Sequence, residues 1–143
     1  MELERTRKAL AGAGLILILV LALALAGSLV GCDSNGGPSA IEKKAAEMTG
    51  GEPSRGRDII RRYGCSTCHA IPGVEGARGQ VGPSLEGIAS RAYLAGKLPN
   101  TPANMIRWIR TPQDVQPGTA MPELGVTEQD GKDIAAYLYT LQQ

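Results

Sequence analysis

Three cations, Arg5, Arg7 and Lys8, lead into an almost unbroken apolar stretch from Ala9 to Val30 built from Leu, Ile, Val, Ala and Gly. After Cys32 the pattern turns polar: Asp33-Ser34-Asn35-Gly36-Gly37-Pro38-Ser39 reads as flexible linker. Ile41 to Met48 can form a short helix, which Gly50-Gly51-Glu52-Pro53 ends. Ser54 then serves as N-cap for a helix running to Tyr63. Thr101 and Pro102 supply a cap and a first-turn proline, and that helix stops near Arg110 because Thr111 precedes Pro112. Thr127-Glu128-Gln129-Asp130 has the form of a capping box with Asp replacing Glu. Behind it Ile134, Tyr137, Leu138 and Leu141 recur at i, i+3, i+4 and i+7, one buried helix face. No stretch alternates as a strand and no repeat is visible, so the predicted class is all-α.

These patterns divide the chain into an N-terminal segment (1–31), a tether (32–53) and a single helical domain (54–143). The 21 residues from Asp33 to Pro53 span roughly 25 Å as a random coil.

Composition changes the picture in one respect. Much of the 43% hydrophobic content sits in the apolar stretch, and the rest of the chain has no Phe, one Trp (Trp108) and four Tyr. A domain of about 90 residues with so few bulky side chains struggles to exclude water, so a bound apolar group is expected to complete its interior. Charge is balanced at +1 overall, and residues 33–143 are neutral, which gives no support to nucleic-acid binding.

The layout of residues 1–32 is that of an export signal. Leu29-Val30-Gly31-Cys32 resembles the bacterial lipobox, in which the cysteine is lipidated and becomes the mature N-terminus. The apolar run of 22 residues is also long enough to remain as an uncleaved transmembrane helix, with Cys32 incidental. Either outcome tethers the domain to the extracytoplasmic face of a bacterial cytoplasmic membrane.

Cys65-Ser66-Thr67-Cys68-His69 is a C-x-x-C-H sequence, the attachment signature of c-type haem. Each thiol adds across a vinyl group, the two intervening residues set the sulfur separation, and His69 follows as proximal iron ligand. A redox-active C-x-x-C pair calls for alternating strands and helices around it, which are missing. A zinc site calls for a fourth ligand; Cys32 lies in the anchor and His69 is the only histidine. A second axial histidine is impossible within this chain, which leaves a methionine thioether. Met1 and Met48 lie in the signal and the tether. Met105 falls inside a helix, where it reads as core filler. Met121 lies in the Pro- and Gly-stiffened segment Pro117-Gly118-Thr119-Ala120-Met121-Pro122 and is the preferred second ligand.

With these residues in place, 54–143 resembles the class I cytochrome c domain. Gly56-Arg57-Asp58-Ile59-Ile60 precedes Gly64-Cys65-Ser66-Thr67-Cys68-His69 at the family's spacing, and Ala136-Tyr137-Leu138 matches its final helix. Gly82-Pro83-Ser84-Leu85 matches its G-P-x-L segment, which implies that the Pro83 carbonyl orients the His69 ring. Met121-Pro122 matches its distal loop. The resemblance implies close packing of Tyr137 on Gly56, with Ile60 standing where an aromatic residue is frequent. Leu98-Pro99-Asn100-Thr101-Pro102, Trp108-Ile109-Arg110-Thr111-Pro112-Gln113 and the Met121 segment are also similar to two narrower groups. One is the cytochrome c domain of bacterial cytochrome oxidase subunit II; the other is the monohaem subunit of alternative complex III.

The implied function is one-electron transfer by a single covalent haem c, in a respiratory or photosynthetic chain. The implied partners are a quinol-oxidising complex or a cytochrome oxidase. A haem enzyme or gas sensor in which Met121 leaves the iron is the alternative. Trp108, Arg91 and Tyr93 are candidates for propionate contact, with core packing or solvation as their plainer readings. Five basic and two acidic residues between Pro72 and Arg110 form either a steering surface or scattered charge. Arg55, Arg57, Arg61 and Arg62 are expected on the wet face of their helix.

Overall fold

The two threonines singled out as caps act as such. Thr101 Oγ1 accepts from the Asn104 amide at 3.3 Å and opens helix α3 (Pro102–Arg110), and Thr127 Oγ1 accepts from the Asp130 amide at 3.1 Å and opens α5 (Glu128–Thr140). The computed structural model describes residues 37–142. The expected signal or anchor and Cys32 lie outside them.

Two further long helices precede these, α1 (Ala40–Thr49) and α2 (Pro53–Arg62); between α3 and α5 lies the one-turn α4 (Pro112–Val115). Helix α1 departs from the expectation of a tether through residue 53. Ser39 and Glu42 close a reciprocal capping box (2.7 and 3.2 Å), and Gly50 ends the helix in the left-handed region at φ 69°. Small Ala45 and Thr49 are buried where α1 packs on α5, and a Cβ at Gly51 would strike the Lys132 and Asp133 backbone. The compact unit therefore begins at Gly37 rather than at 54.

Helix α2 is capped by Glu52, not Ser54: the Glu52 carboxylate accepts from the Ser54 hydroxyl at 3.1 Å and amide at 3.4 Å. Pro53 takes the first helical position, where its missing N–H is not needed. The helix closes at Arg62 with Tyr63 as C-cap. Its Ile59 and Ile60 are each 1% exposed, and Gly56 lets the chain approach α5 closely. The arginines are less idle than expected. Arg55 reaches the fully buried carboxylate of Asp133 on α5, Arg61 pairs with Glu75, and Arg62 with Asp130, although all three side chains stay about half exposed or more.

Helix α5 is buried on nearly every side, including Gly131, Asp133, Ala135, Ala136 and Tyr139, rather than along one face. It is the axis against which α1, α2 and α3 pack. The loop ahead of α3 holds a miniature antiparallel hairpin, β1 (Tyr93–Leu94) with β2 (Leu98–Pro99), turned by Ala95 and Gly96 at φ 49° and 69°. Two residues per strand are too few to show alternation, and the domain is all-α apart from this pair.

Candidate haem site

Gly64, in the left-handed conformation at φ 72°, breaks the chain out of α2 into a tight 3-10 turn, Cys65–Thr67. The amides of Cys68 and His69 both point back to the Cys65 carbonyl, at 3.3 and 3.0 Å. That winding sends Cys65, Cys68 and His69 to the wall of one cavity of about 470 Å³. The segment is backed by two glycines: a Cβ at Gly79 would meet the Cys68–His69 peptide, and one at Gly82 would run into the imidazole. The Gly82 amide donates to the Cys68 carbonyl at 2.8 Å, fixing this approach.

His69 Nδ1 lies 2.8 Å from the Pro83 carbonyl oxygen. A carbonyl only accepts, so Nδ1 carries the proton and Nε2 is the ring nitrogen left free to ligate. As a free thiol Cys65 is pushed up in pKa, mainly by burial and further by Cys68. This is opposite to the thiolate-favouring surroundings of a redox-active pair.

Met121 also lines the cavity, from the loop between α4 and α5, and Met105 lines it from α3. Met105 is 2% exposed and belongs to the core cluster; Met121 is half-buried. The Met121 loop is held by Gln113, a residue to which the sequence alone assigned no role. Gln113 Nε2 donates to the carbonyls of Thr119 and Met121 at 2.9 and 3.0 Å, and its Oε1 accepts from the Gly118 amide at 3.0 Å. Its only signal in the sequence was its place at the end of the Trp108–Gln113 segment that carries the resemblance.

Trp108, Arg91 and Tyr93 also line the cavity. Arg91 donates to the carbonyls of Ser84 (2.6 Å) and Glu86 (3.0 Å), so its guanidinium is anchored over the Pro83 segment. Tyr93 is 60% exposed. Cys65, Cys68, His69, Pro83 and Met121 thus all border one space. The volume suits a cofactor pocket, typically about 300–1,000 Å³. Two thiols in register with an imidazole, a thioether and an Ile- and Leu-lined wall make a donor set fitted to a flat apolar macrocycle with two attachment points.

That arrangement defines a covalent haem protein of the c type. A family model described as cytochrome c matches residues 53–142, and the chain belongs to that family. It is 32% identical over 105 residues to a cytochrome c2 of Rhodopila globiformis, covering 64% of this chain and 95% of that one. A cytochrome c2 of Rhodoblastus acidophilus is 37% identical over 101 residues, covering 62% and 91%. Cytochrome c oxidase subunit 2 of Alkalihalophilus pseudofirmus is 33% identical over 108 residues, 71% of this chain; the chain spans only 30% of that relative's length. The cofactor is covalently bound haem c, and the protein is a haem-based electron carrier with the class I fold.

Proposed function

We propose that this protein is a membrane-tethered one-electron carrier whose iron is held by His69 and Met121. The observation that carries this reading is the single cavity onto which the Cys65–His69 turn and the Met121 loop converge. When bound, haem supplies an iron that alternates between ferrous and ferric states. Cys65 and Cys68 secure its edge, His69 presents Nε2 with its other nitrogen locked by Pro83, and Met121 supplies a soft thioether that favours the reduced state relative to a second histidine. With His69 and Met121 both holding the iron, oxygen or peroxide would find no open site, which would separate a carrier from a haem enzyme or gas sensor.

The mouth of the cavity supports exchange with a protein partner. Val81, Tyr93 and Leu124 line it and are 79%, 60% and 39% exposed, an apolar rim that also includes the basic Arg91. We assign the donor and acceptor to a quinol-oxidising complex and a cytochrome oxidase in the same membrane; the likeness to an oxidase subunit supports this. Anchoring follows lipidation at Cys32, at the extracytoplasmic face, and raises the local concentration of partners.

Rapid mixing of the ferrous holoprotein with a terminal oxidase is expected to give oxidation within a few turnovers of the oxidase. A normal haem spectrum with no exchange to oxidase or quinol-oxidising complex would sink the carrier reading. The mass of the mature N-terminal peptide tests the tether: a diacylated Cys32 is expected, and a peptide that begins at Met1 replaces lipidation with an uncleaved helix.

A further inference from the structure

We propose that Gln113 is the positioning residue for the distal ligand: its side-chain amide clamps the 118–121 loop and sets how firmly the Met121 thioether is retained. This rests on Met121 being that ligand.

The loop cannot hold itself. Pro117 and Pro122 lack an N–H, Gly118 sits at φ 78°, and apart from Gln113 the polar contacts of the turn are two. They are Thr119 N–H to the Gln116 carbonyl (3.1 Å) and Met121 N–H to Thr119 Oγ1 (3.4 Å), both within the loop. Gln113 provides the link to the rest of the domain. A primary amide offers two N–H donors and one carbonyl; here both donors go to loop carbonyls and the oxygen takes a loop amide. One of those carbonyls belongs to Met121 itself.

The base of the clamp is rigid. Pro112, immediately before it, is among the most fully buried side chains, and α4 follows α3 after the single residue Thr111. Gln113 therefore transmits the position of the core to the ligand's backbone. A neutral thioether binds iron weakly compared with imidazole, so its retention depends on how little freedom the loop gains when it lets go. Removing the clamp leaves the thioether chemically unchanged but frees its carrier.

The test compares wild type, Gln113→Leu and Gln113→Glu as ferric holoproteins. Three properties are followed: the weak far-red sulfur-to-iron absorption band on heating, far-ultraviolet ellipticity, and imidazole binding. Gln113→Leu fills space without hydrogen bonds. Gln113→Glu keeps size and the acceptor for Gly118 but sets a carboxylate against two carbonyl oxygens. Both variants are expected to show the band when cold, to lose it well below the loss of ellipticity, and to bind imidazole about tenfold more tightly than wild type. Band and ellipticity lost together at wild-type temperatures, with unchanged imidazole affinity, would overturn the clamp. A wild type with no such band defeats Met121 ligation instead, so the two failures are distinct. Should the variants fail to mature, hydrogen exchange in the wild-type holoprotein decides: the Gly118 amide is expected to be protected, and free exchange there rejects the proposal.

Discussion

Gly56 on α2 lies so close to Asp133 on α5 that a Cβ at position 56 would overlap the Asp133 carbonyl and press on Tyr137 Cβ at 3.0 Å. The same crossing buries the Asp133 carboxylate, which accepts from Arg55 Nε (2.7 Å), the Glu52 amide (2.8 Å) and Gln129 Nε2 (3.1 Å). The glycine brings the helices together, and the carboxylate is satisfied only because they are together. Gly56→Ala is expected to destabilise the holoprotein by about 3 kcal/mol, the upper range for overpacking, because the obstruction is backbone. Urea midpoints measure it, and a change below about 0.5 kcal/mol would mean the helices can separate freely.

Asp133→Ala tests the other half of that relationship. It leaves the Glu52 amide and the Arg55 guanidinium without their shared acceptor at the entrance to α2. The expected loss is about 2–4 kcal/mol, whereas Arg55→Ala, at a side chain 54% exposed, is expected to cost about 1–2 kcal/mol. Equal costs for the two would show that the charge pair, rather than the amide cap, dominates.

Tyr63, the C-cap of α2, donates its hydroxyl to Asp130 of α5 at 2.8 Å. That bond is the main reason the Asp130 carboxyl is held below its usual range and the Tyr63 phenol above its own. A depressed carboxyl pKa stabilises the fold above its unfolded value, about 3.9, and the gain disappears as pH falls through the folded pKa. A raised phenol pKa contributes below its unfolded value, about 10, and is lost as pH rises through the folded one. The stability gap between wild type and Tyr63→Phe is therefore expected to be flat from about pH 5 to pH 9, narrowing below about pH 4 and above about pH 10. A gap that does not narrow at either end would show that the hydroxyl matters only by packing.

How much of this was legible in the chain depended on the range of the interaction. The Cys65–His69 motif is read directly because covalent attachment fixes its spacing within five residues. Thr101 and Thr127 were legible because a cap is local. Ser54 was misread as a cap because a small hydroxyl residue is the commoner N-cap, whereas here Glu52 takes the Ser54 amide and Pro53 opens the first turn. Helix α1 was taken for tether because its burial rests on two small residues, Ala45 and Thr49, whose partner lies some 80 positions onward. No local pattern assigns a role to Asp133 or Gln113. Their roles exist only once α2 meets α5, or once the loop folds back over α4.

Two methionines border the cavity, and exchanging them separates ligand from core. Met105→Leu, a nearly volume-conserving change at a site 2% exposed, is expected to keep the far-red band and cost less than about 1.5 kcal/mol. Met121→Ala is expected to abolish the band and lower the reduction potential, since the thioether favours ferrous iron. The reverse pattern would move the distal ligand to α3 and leave the Gln113 clamp without a purpose.

Loss of the cofactor has the largest expected consequence. The core cluster is made mostly of Ile, Ala, Val and Leu with no Phe, and many of these residues, including Ile60, Ile71, Ile88, Leu94, Ile109, Ile134 and Leu138, form the cavity wall. Without haem their inner faces meet water, or the helices must collapse on a space of about 470 Å³. At about 24 cal/mol per Å³, a closed void of that size costs about 11 kcal/mol, within the total stability of about 5–15 kcal/mol for a typical domain. The α2–α5 crossing at Gly56 and the capped α1 lie away from the cavity wall and have their own contacts, so helix can persist after tertiary packing is lost. Cys65→Ala/Cys68→Ala, made without haem attachment, is accordingly expected to keep part of its far-ultraviolet ellipticity, lose near-ultraviolet signal from Trp108 and bind hydrophobic dyes. Cooperative thermal unfolding with a sharp near-ultraviolet spectrum in that variant would mean the side chains alone complete the core.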